Sequence, residues 1–394
     1  MAKLPKLRLL IVANTFWGRI LSGGDYHILR VVKEWEKRVD VTVVASKFFA
    51  SSRAHANDYL TPVKILAKDP IPYLEKKNNI YLHLILTMVR GIFLIFSRFE
   101  ENYDVIVSPS HFVFELLPCI FLKLRNRNSR LVVYVHSTSA TANNAPRLLL
   151  STTNNLAGLF LVRLSADLVF VINDSVKERC IDFGIQKKKI VKTSNAVDIV
   201  SSVEHVDGAD AKAFAACFLG RFGKEKGVYD LLSVWKLICC KLPNAKLAII
   251  GDGPGKVQTE KLSINMGLEQ NVTFFGFISG DEKYKLLKNS AVFIFPSHAE
   301  SWGISVAEAM SCGLPVVAYD LPTYKEVFED KIITVPAGDV DAVAKKVILL
   351  LENSKFSREI GQKGREFIKK YDWNIVAKRE LTAIIGLERR VDGR

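Results

Sequence analysis

No stretch of this chain is apolar for long enough to span a bilayer. Arg90 interrupts the nearest candidate, residues 79–97, and a crossing helix needs about 20 consecutive apolar residues. Proline and glycine are sparse, at 13 and 23 of 394 residues, while apolar residues make up 49%. That balance excludes a collagen-like, low-complexity or largely disordered chain. The six cysteines form no CxxC pair and sit mostly among apolar neighbours, so they read as reduced core residues rather than a disulfide framework. No grouping of Cys, His and Asp has metal-ligand spacing. Behind the basic Met1–Arg8, Leu9–Ala13 is too short for a secretory apolar core and lacks a cleavage pattern, so it reads as the lead-in to a buried strand. Acidic residues are in deficit, 41 against 55 basic, a net charge of +14. Such an excess suits an anionic partner: a nucleotide, a phosphorylated substrate, anionic lipid or nucleic acid.

What is present is a rhythm of short apolar runs and helix-length segments. The length admits two cores of about 190 residues each. In the first half, strands are expected at Leu9–Ala13, Val41–Val44, Val105–Val107, Leu131–Val135 and Leu168–Ile172, with a helix over Asp25–Lys37. Strands spaced by helices imply a parallel α/β sheet covered on both faces. The acidic, small-residue segment Asp198–Lys212 reads as a linker, after which the rhythm restarts with a strand over Ala215–Leu219. Further strands are expected at Leu247–Ile250, Val272–Phe275, Ala291–Phe295 and Pro315–Ala318, and a last helix near Trp373. The division is therefore 1–197, 198–372 and a terminal helix over 373–394. Two α/β halves of this kind leave a cleft, and ligands in open sheets gather at the carboxyl ends of strands.

Several polar motifs fall at such ends. Gly23-Gly24 opens the first helix, where backbone N–H groups suit an anion, although an ordinary turn explains the pair equally well. Gly220–Gly227 places Arg221 and Lys226 between a strand and a helix, a rigid fork and a mobile point charge suited to linked phosphates; a solvated charged loop is the plainer reading. Gly251–Pro254 is a tight turn after the next strand. In Ser297–Met310, Glu300 precedes a helix and Glu308 sits roughly two turns into it. Eight residues of helix span about 12 Å, too far for shared-proton chemistry but suited to holding two parts of one long ligand. Ser301, Trp302 and Gly303 supply N–H donors at the helix start. Glu308 lies among packing residues and can accept two hydrogen bonds from sugar hydroxyls, or simply face solvent. His136 ends the strand Leu131–Val135, so its imidazole is a site candidate as well as a structural one. His83 and His298 are weaker candidates.

Taken in order, these motifs resemble glycosyltransferase family 4, the retaining nucleotide-sugar transferases, from about Leu9 to Trp373. Gly23-Gly24 resembles the family's N-terminal glycine loop, and Asn195-Ala196-Val197-Asp198 its Asn-Gly-Val-Asp turn, with Ala196 arguing against a left-handed residue there. Gly220-Arg221, Lys226-Gly227, Gly251–Pro254, Gly276, the Glu300-to-Glu308 spacing, Glu326 and Trp373 complete the resemblance. It implies a GT-B fold, two Rossmann-like parallel-sheet domains facing across a deep cleft, with the acceptor in the first domain and the donor in the second. It implies that Arg221 and Lys226 bind the donor diphosphate, admitted by Gly23 and Gly24. Glu308 would hold the ribose, Glu300 the transferred sugar, and His136 would lie near that sugar and the acceptor. Phe277, in the Phe275–Ile278 loop, would adjoin the base, and Ser301, Trp302 and Gly303 would complete the donor site. The donor would be a UDP- or GDP-sugar, with no cofactor and no metal; the compact Asp-x-Asp of a metal-dependent nucleotide-sugar clamp is missing here. Ser301-Trp302 stands where the family commonly has Gly and Phe, so the choice of sugar does not carry over.

The acceptor is a hydroxyl compound, and the sequence leaves room for an anionic, phosphorylated or lipid-linked one. The apolar residues 80–99 and the basic Lys123, Arg125, Arg127 and Arg130 fit either a packed helix with a charged surface or a face resting on anionic membrane. A cytoplasmic location is expected under either reading, and the second would put the protein on the cytoplasmic face of the membrane. A sugar- or nucleotide-binding module without turnover, and a sugar-nucleotide epimerase, are the alternative functions. No aromatic-interleaved platform or reading helix points to nucleic acid.

Overall fold

The computed structural model describes residues 7–14, 23–45, 64–67, 80–97, 102–138, 145–199 and 212–389. The chain divides into two compact units, Met1–Asn195 with Trp373–Arg394, and Ala196–Asp372. The residues 200–211 of the expected linker lie outside the described part.

The first unit carries strands β1 (Arg8–Val12), β2 (Asp40–Ala45), β3 (Lys64–Ala67), β4 (Val105–Ser108), β5 (Arg130–Val135), β6 (Leu168–Val171) and β7 (Ile190–Lys192). They form one parallel sheet in the order β3-β2-β1-β4-β5-β6-β7. The central strands are continuous runs of Val, Ile and Leu with no polar alternation, and β4 and β6 are buried at every position. That pattern belongs to strands covered on both faces. The covering helices are α1 (Gly23–Trp35), α2 (Ile80–Phe96), α3 (Val113–Arg125), α4 (Ala145–Ser165), α5 (Asp174–Asp182) and, from the end of the chain, α6 (Trp373–Arg389). α3 packs against both α2 and α4, while α6 packs against α1. The interrupting Arg90 does not break α2. It turns inward, is buried, and donates to the Asn14 carbonyl at 2.8 Å. Asn14 in turn donates to the Thr87 and Phe114 carbonyls, tying the end of β1 to α2 and α3. Among the described residues no helix is long and apolar enough to cross a membrane.

The second unit repeats the plan. Strands β8 (Phe214–Leu219), β9 (Leu247–Ile250), β10 (Val272–Gly276), β11 (Ser290–Phe295), β12 (Val316–Tyr319) and β13 (Ile333–Val335) form a parallel sheet in the order β10-β9-β8-β11-β12-β13. The helices include 228–241, 256–265, 280–288, 304–311, 322–328, 340–352 and 354–368. In each sheet the chain winds one way from a central strand, then returns to its other side: β1 is flanked by β2 and β4, and β8 by β9 and β11. Such switch points leave a crevice at the carboxyl ends of the strands. The six cysteines are free; Cys119, Cys180, Cys217 and Cys312 are buried, but Cys240 is exposed and Cys239 half-buried, so the expectation of core thiols holds for four.

Candidate functional site

In the second unit the loops after β8 and β11 meet over the switch point. The backbone turns sharply after Phe222: Lys224–Lys226 is one turn of 3-10 helix, closed by Gly227 at φ 67°. A Cβ on Gly227 would stand 1.7 Å from the Pro296 carbonyl oxygen, so only glycine allows the two loops this approach. The approach delivers Lys226 Nζ to within 2.5 Å of Glu300 Oε1, a pair mostly withdrawn from solvent. The Ser297 hydroxyl lies 3.1 Å from the same carboxylate oxygen, and the Thr323 hydroxyl donates to the Glu300 carbonyl at 3.0 Å. His298 holds the loop from outside, its Nε2 2.9 Å from Asp230 Oδ2 and its backbone N–H on the Glu225 carbonyl.

Arg221 follows β8 directly and is exposed, with its guanidinium 2.6 Å from Glu225 Oε1. That contact, with burial opposing it, holds the Glu225 carboxyl below its ordinary pKa. Glu308 is buried on the helix Ile304–Ser311, one turn from its start rather than two, because the helix begins only at Ile304. Lys283, from the helix Gly280–Lys288, reaches it at 2.5 Å. The cation Lys283 is a neighbour of these candidates that sequence reasoning did not single out. Each carboxylate of the second unit's site therefore carries an ammonium group of its own, and Lys226 and Glu300 join the phosphate-type and hydroxyl-type groups directly. Phe277 is exposed just beyond Gly276, after β10. Gly303 caps the helix start with a left-handed backbone, and Ser301 is exposed beside it. The Trp302 indole is buried edge-on against Phe328 and Tyr371, so its side chain belongs to the core, and the backbone N–H expected of it is the group left for a ligand.

In the first unit, Gly24 and His136 are neighbours. A Cβ on Gly24 would lie 2.8 Å from His136 Cδ2, so the helix start rests directly on the imidazole. His136 is half-buried, with both ring nitrogens shielded from solvent; it stacks on Tyr134 and stands 5.9 Å from His27 between ring centroids. Among the described residues neither ring nitrogen meets a partner in good hydrogen-bond geometry, although the Pro109 backbone is close enough to favour the protonated ring weakly. Burial, with His27 and His111 close by, pushes its pKa down to about 3, which keeps the ring neutral. Behind it is a buried polar cluster: Glu380 of α6 accepts from Tyr134 at 2.8 Å, from Thr193, and lies 3.0 Å from His27 Nε2. Gly23 is the first residue of α1. Ala196 is buried and does not adopt the left-handed backbone, in keeping with its replacement of glycine. Among the described residues no group of three His, Cys, Asp or Glu is arranged to hold a metal ion.

Two family models match the chain. Residues 21–200 match Glycosyltransferase Family 4, and residues 204–367 match Glycosyl transferases group 1. A sulfoquinovosyl transferase of Arabidopsis thaliana is 38% identical over 160 residues, 39% of this chain and 30% of that protein. A phosphatidyl-myo-inositol mannosyltransferase of Mycobacterium leprae is 31% identical over 185 residues, 46% of this chain and 49% of the other. The matches thus span less than half the length of these relatives. Among solved structures, HepE of Anabaena, crystallised with UDP and glucose, superposes with a TM-score of 0.74 at 17% identity, covering 96% of this chain and all (100%) of that one. Sucrose-phosphate synthase of Thermosynechococcus elongatus gives 0.73 at 17% identity, covering 98% and 100%. At that identity the likeness is one of fold, and the fold is of the GT-B type.

Proposed function

We propose that the chain, related to the glycosyltransferases of family 4 through its first part and of group 1 through its second, moves a sugar from a nucleotide-sugar donor to a hydroxyl acceptor. The stereochemical reading is retention. The observation that carries the proposal is the Lys226–Glu300 pair at the switch point of the second sheet. A diphosphate arriving at Lys226 replaces one anionic partner by another, and the same exchange releases the Glu300 carboxylate to accept hydrogen bonds from sugar hydroxyls. Arg221 leaves only an exposed ion pair with Glu225, a contact of the kind that contributes little. Glu308 takes the ribose hydroxyls, and Lys283 orients it.

In the reaction, the bond between the anomeric carbon and the leaving phosphate oxygen breaks. The acceptor oxygen bonds to the same face of that carbon, and its proton passes to the departing phosphate. Arg221 and Lys226 stabilise the charge that accumulates there, fixed donors aimed at developing negative charge. His136, neutral and with both ring nitrogens shielded from solvent, is assigned to the transferred sugar, and Gly23 and Gly24 to the diphosphate. UDP- and GDP-sugars are the donors to test first, against lipid-linked, phosphorylated and simple hydroxyl acceptors. The test is product analysis by mass and anomeric coupling constant. A glycoside with the donor's configuration supports the proposal. Net inversion contradicts the stereochemistry, and an epimerised donor without glycoside replaces transfer by epimerisation.

A further inference from the structure

The first unit buries three helices against one another and leaves their outer sides greasy. On α2, Leu86, Thr87, Arg90 and Leu94 face inward, whereas Ile85, Met88, Ile92 and Phe96 form an exposed stripe at helical spacing, Phe96 being 78% exposed. On α4 the same division separates buried Asn155, Leu159 and Val162 from exposed Leu149, Leu156, Phe160 and Leu164. Between them lies α3, which packs on both neighbours and exposes Phe121 and Leu124. Contiguous apolar surface of this kind is uncommon on a chain that meets only water.

The charge around this face is one-sided. From Val105 to Ala166 the sole carboxylate is Glu115, which is buried, against Lys123, Arg125, Arg127, Arg130, Arg147 and Arg163. Asp167 answers Lys123 and stands near Arg130. Arg125, Arg127 and Arg163 are exposed and have no carboxylate partner among the described residues. A second copy of this chain is a poor occupant, because a two-fold contact would set the same unpaired cations against themselves. A surface that is apolar inside and anionic at its boundary meets both requirements at once.

We propose that the outer face of α2, α3 and α4 is a docking surface for an anionic lipid bilayer. The apolar stripes enter the acyl boundary, and the arginines remain at the headgroup phosphates. This inference is independent of the reaction assigned to the second unit, and either can fail alone.

The test is co-sedimentation of the full chain with phosphatidylcholine vesicles, with and without phosphatidylglycerol, at low and high salt. The chain is expected to sediment with the anionic vesicles and to release partly in salt. Phe96→Ser combined with Phe160→Ser, both at exposed positions and so expected to keep the thermal midpoint, should lower partitioning about tenfold or more in either salt. Arg127→Glu should weaken binding chiefly at low salt. No sedimentation with anionic vesicles at low salt, or undiminished binding by the folded double variant, overturns the proposal. So does equal binding to neutral vesicles. A dimer in light scattering that the double variant dissociates would give the face to a second copy instead.

Discussion

Lys226 is paired with Glu300 in the structure, and in the proposed reaction it exchanges that partner for the donor phosphate. Lys226→Ala should therefore lower kcat/KM about 100-fold or more, the scale of removing one fixed donor from developing charge; steady-state kinetics with a saturating acceptor measures it. Lys283 has a narrower task. Lys283→Met leaves Glu308 buried without its cation, and calorimetric titration should show nucleoside diphosphate binding weakened about tenfold, with inorganic pyrophosphate unaffected and Lys283→Arg restoring most of the loss. Equal weakening toward both ligands would make the lysine a general phosphate contact instead. Lys226 and Glu308 stood out in the sequence as candidates because one follows a strand beside glycine and the other interrupts a run of small packing residues in a helix. Lys283 did not, since Gly-Asp-Glu-Lys-Tyr-Lys reads as an ordinary charged helix face and its partner is 25 residues away. The burial of the Trp302 indole was equally illegible: its neighbours Glu300, Ser301 and Gly303 are polar or small, while the aromatic pocket that takes it is built by Phe328 and Tyr371 from later in the chain.

At the scale of elements, the terminal helix α6 belongs with the first unit, held by Trp35 Nε1 donating to the Ala377 carbonyl at 2.9 Å and by the buried Glu380 cluster. Glu380→Ala would strand His27, Tyr134 and Thr193 without their acceptor. Leaving a buried polar group without its partner costs about 1–3 kcal/mol, so the thermal midpoint should fall and hydrogen exchange of α6 should accelerate before that of β4 or β5. A midpoint unchanged within a degree or two, as for a surface substitution, would show the cluster to be idle. The start of this helix was legible from Trp373 behind a capping Asp372. The role of Glu380 was not, because an acid in a helix of mixed charge reads as solvent-facing until Tyr134 and Thr193 are brought to it. The strands β7 and β13, of 3 residues each, were missed because so few residues carry no measurable period; β3, Lys-Ile-Leu-Ala, was missed because its apolar run is only three residues long. The long buried strands were found within a residue or two, since an unbroken Val, Ile and Leu run between helices has little other use.

For the whole molecule, two imidazoles shielded from solvent tie stability to pH. Burial lowers His111 to about 4, with Asn155 opposing the shift, and His136 to about 3, both below the ordinary value of 6.5. The unfolded chain therefore binds more protons than the folded one between these limits, and stability present above pH 6.5 is lost as the pH falls toward 4. The denaturant midpoint should drop over that window, and His111→Gln should flatten the drop; a wild-type profile level from pH 7 to pH 4 would contradict the assignment. The central claim concerns the second unit, where the paired Lys226–Glu300 and Lys283–Glu308 are proposed to bind one nucleotide-sugar. Its most direct measurement is a calorimetric titration of the full chain with UDP, GDP and their sugars, repeated with Lys226→Ala and Glu308→Ala. The account predicts saturable binding of at least one nucleotide, weakened about tenfold or more by each substitution; no binding by any of them, or binding that both variants retain in full, would contradict it.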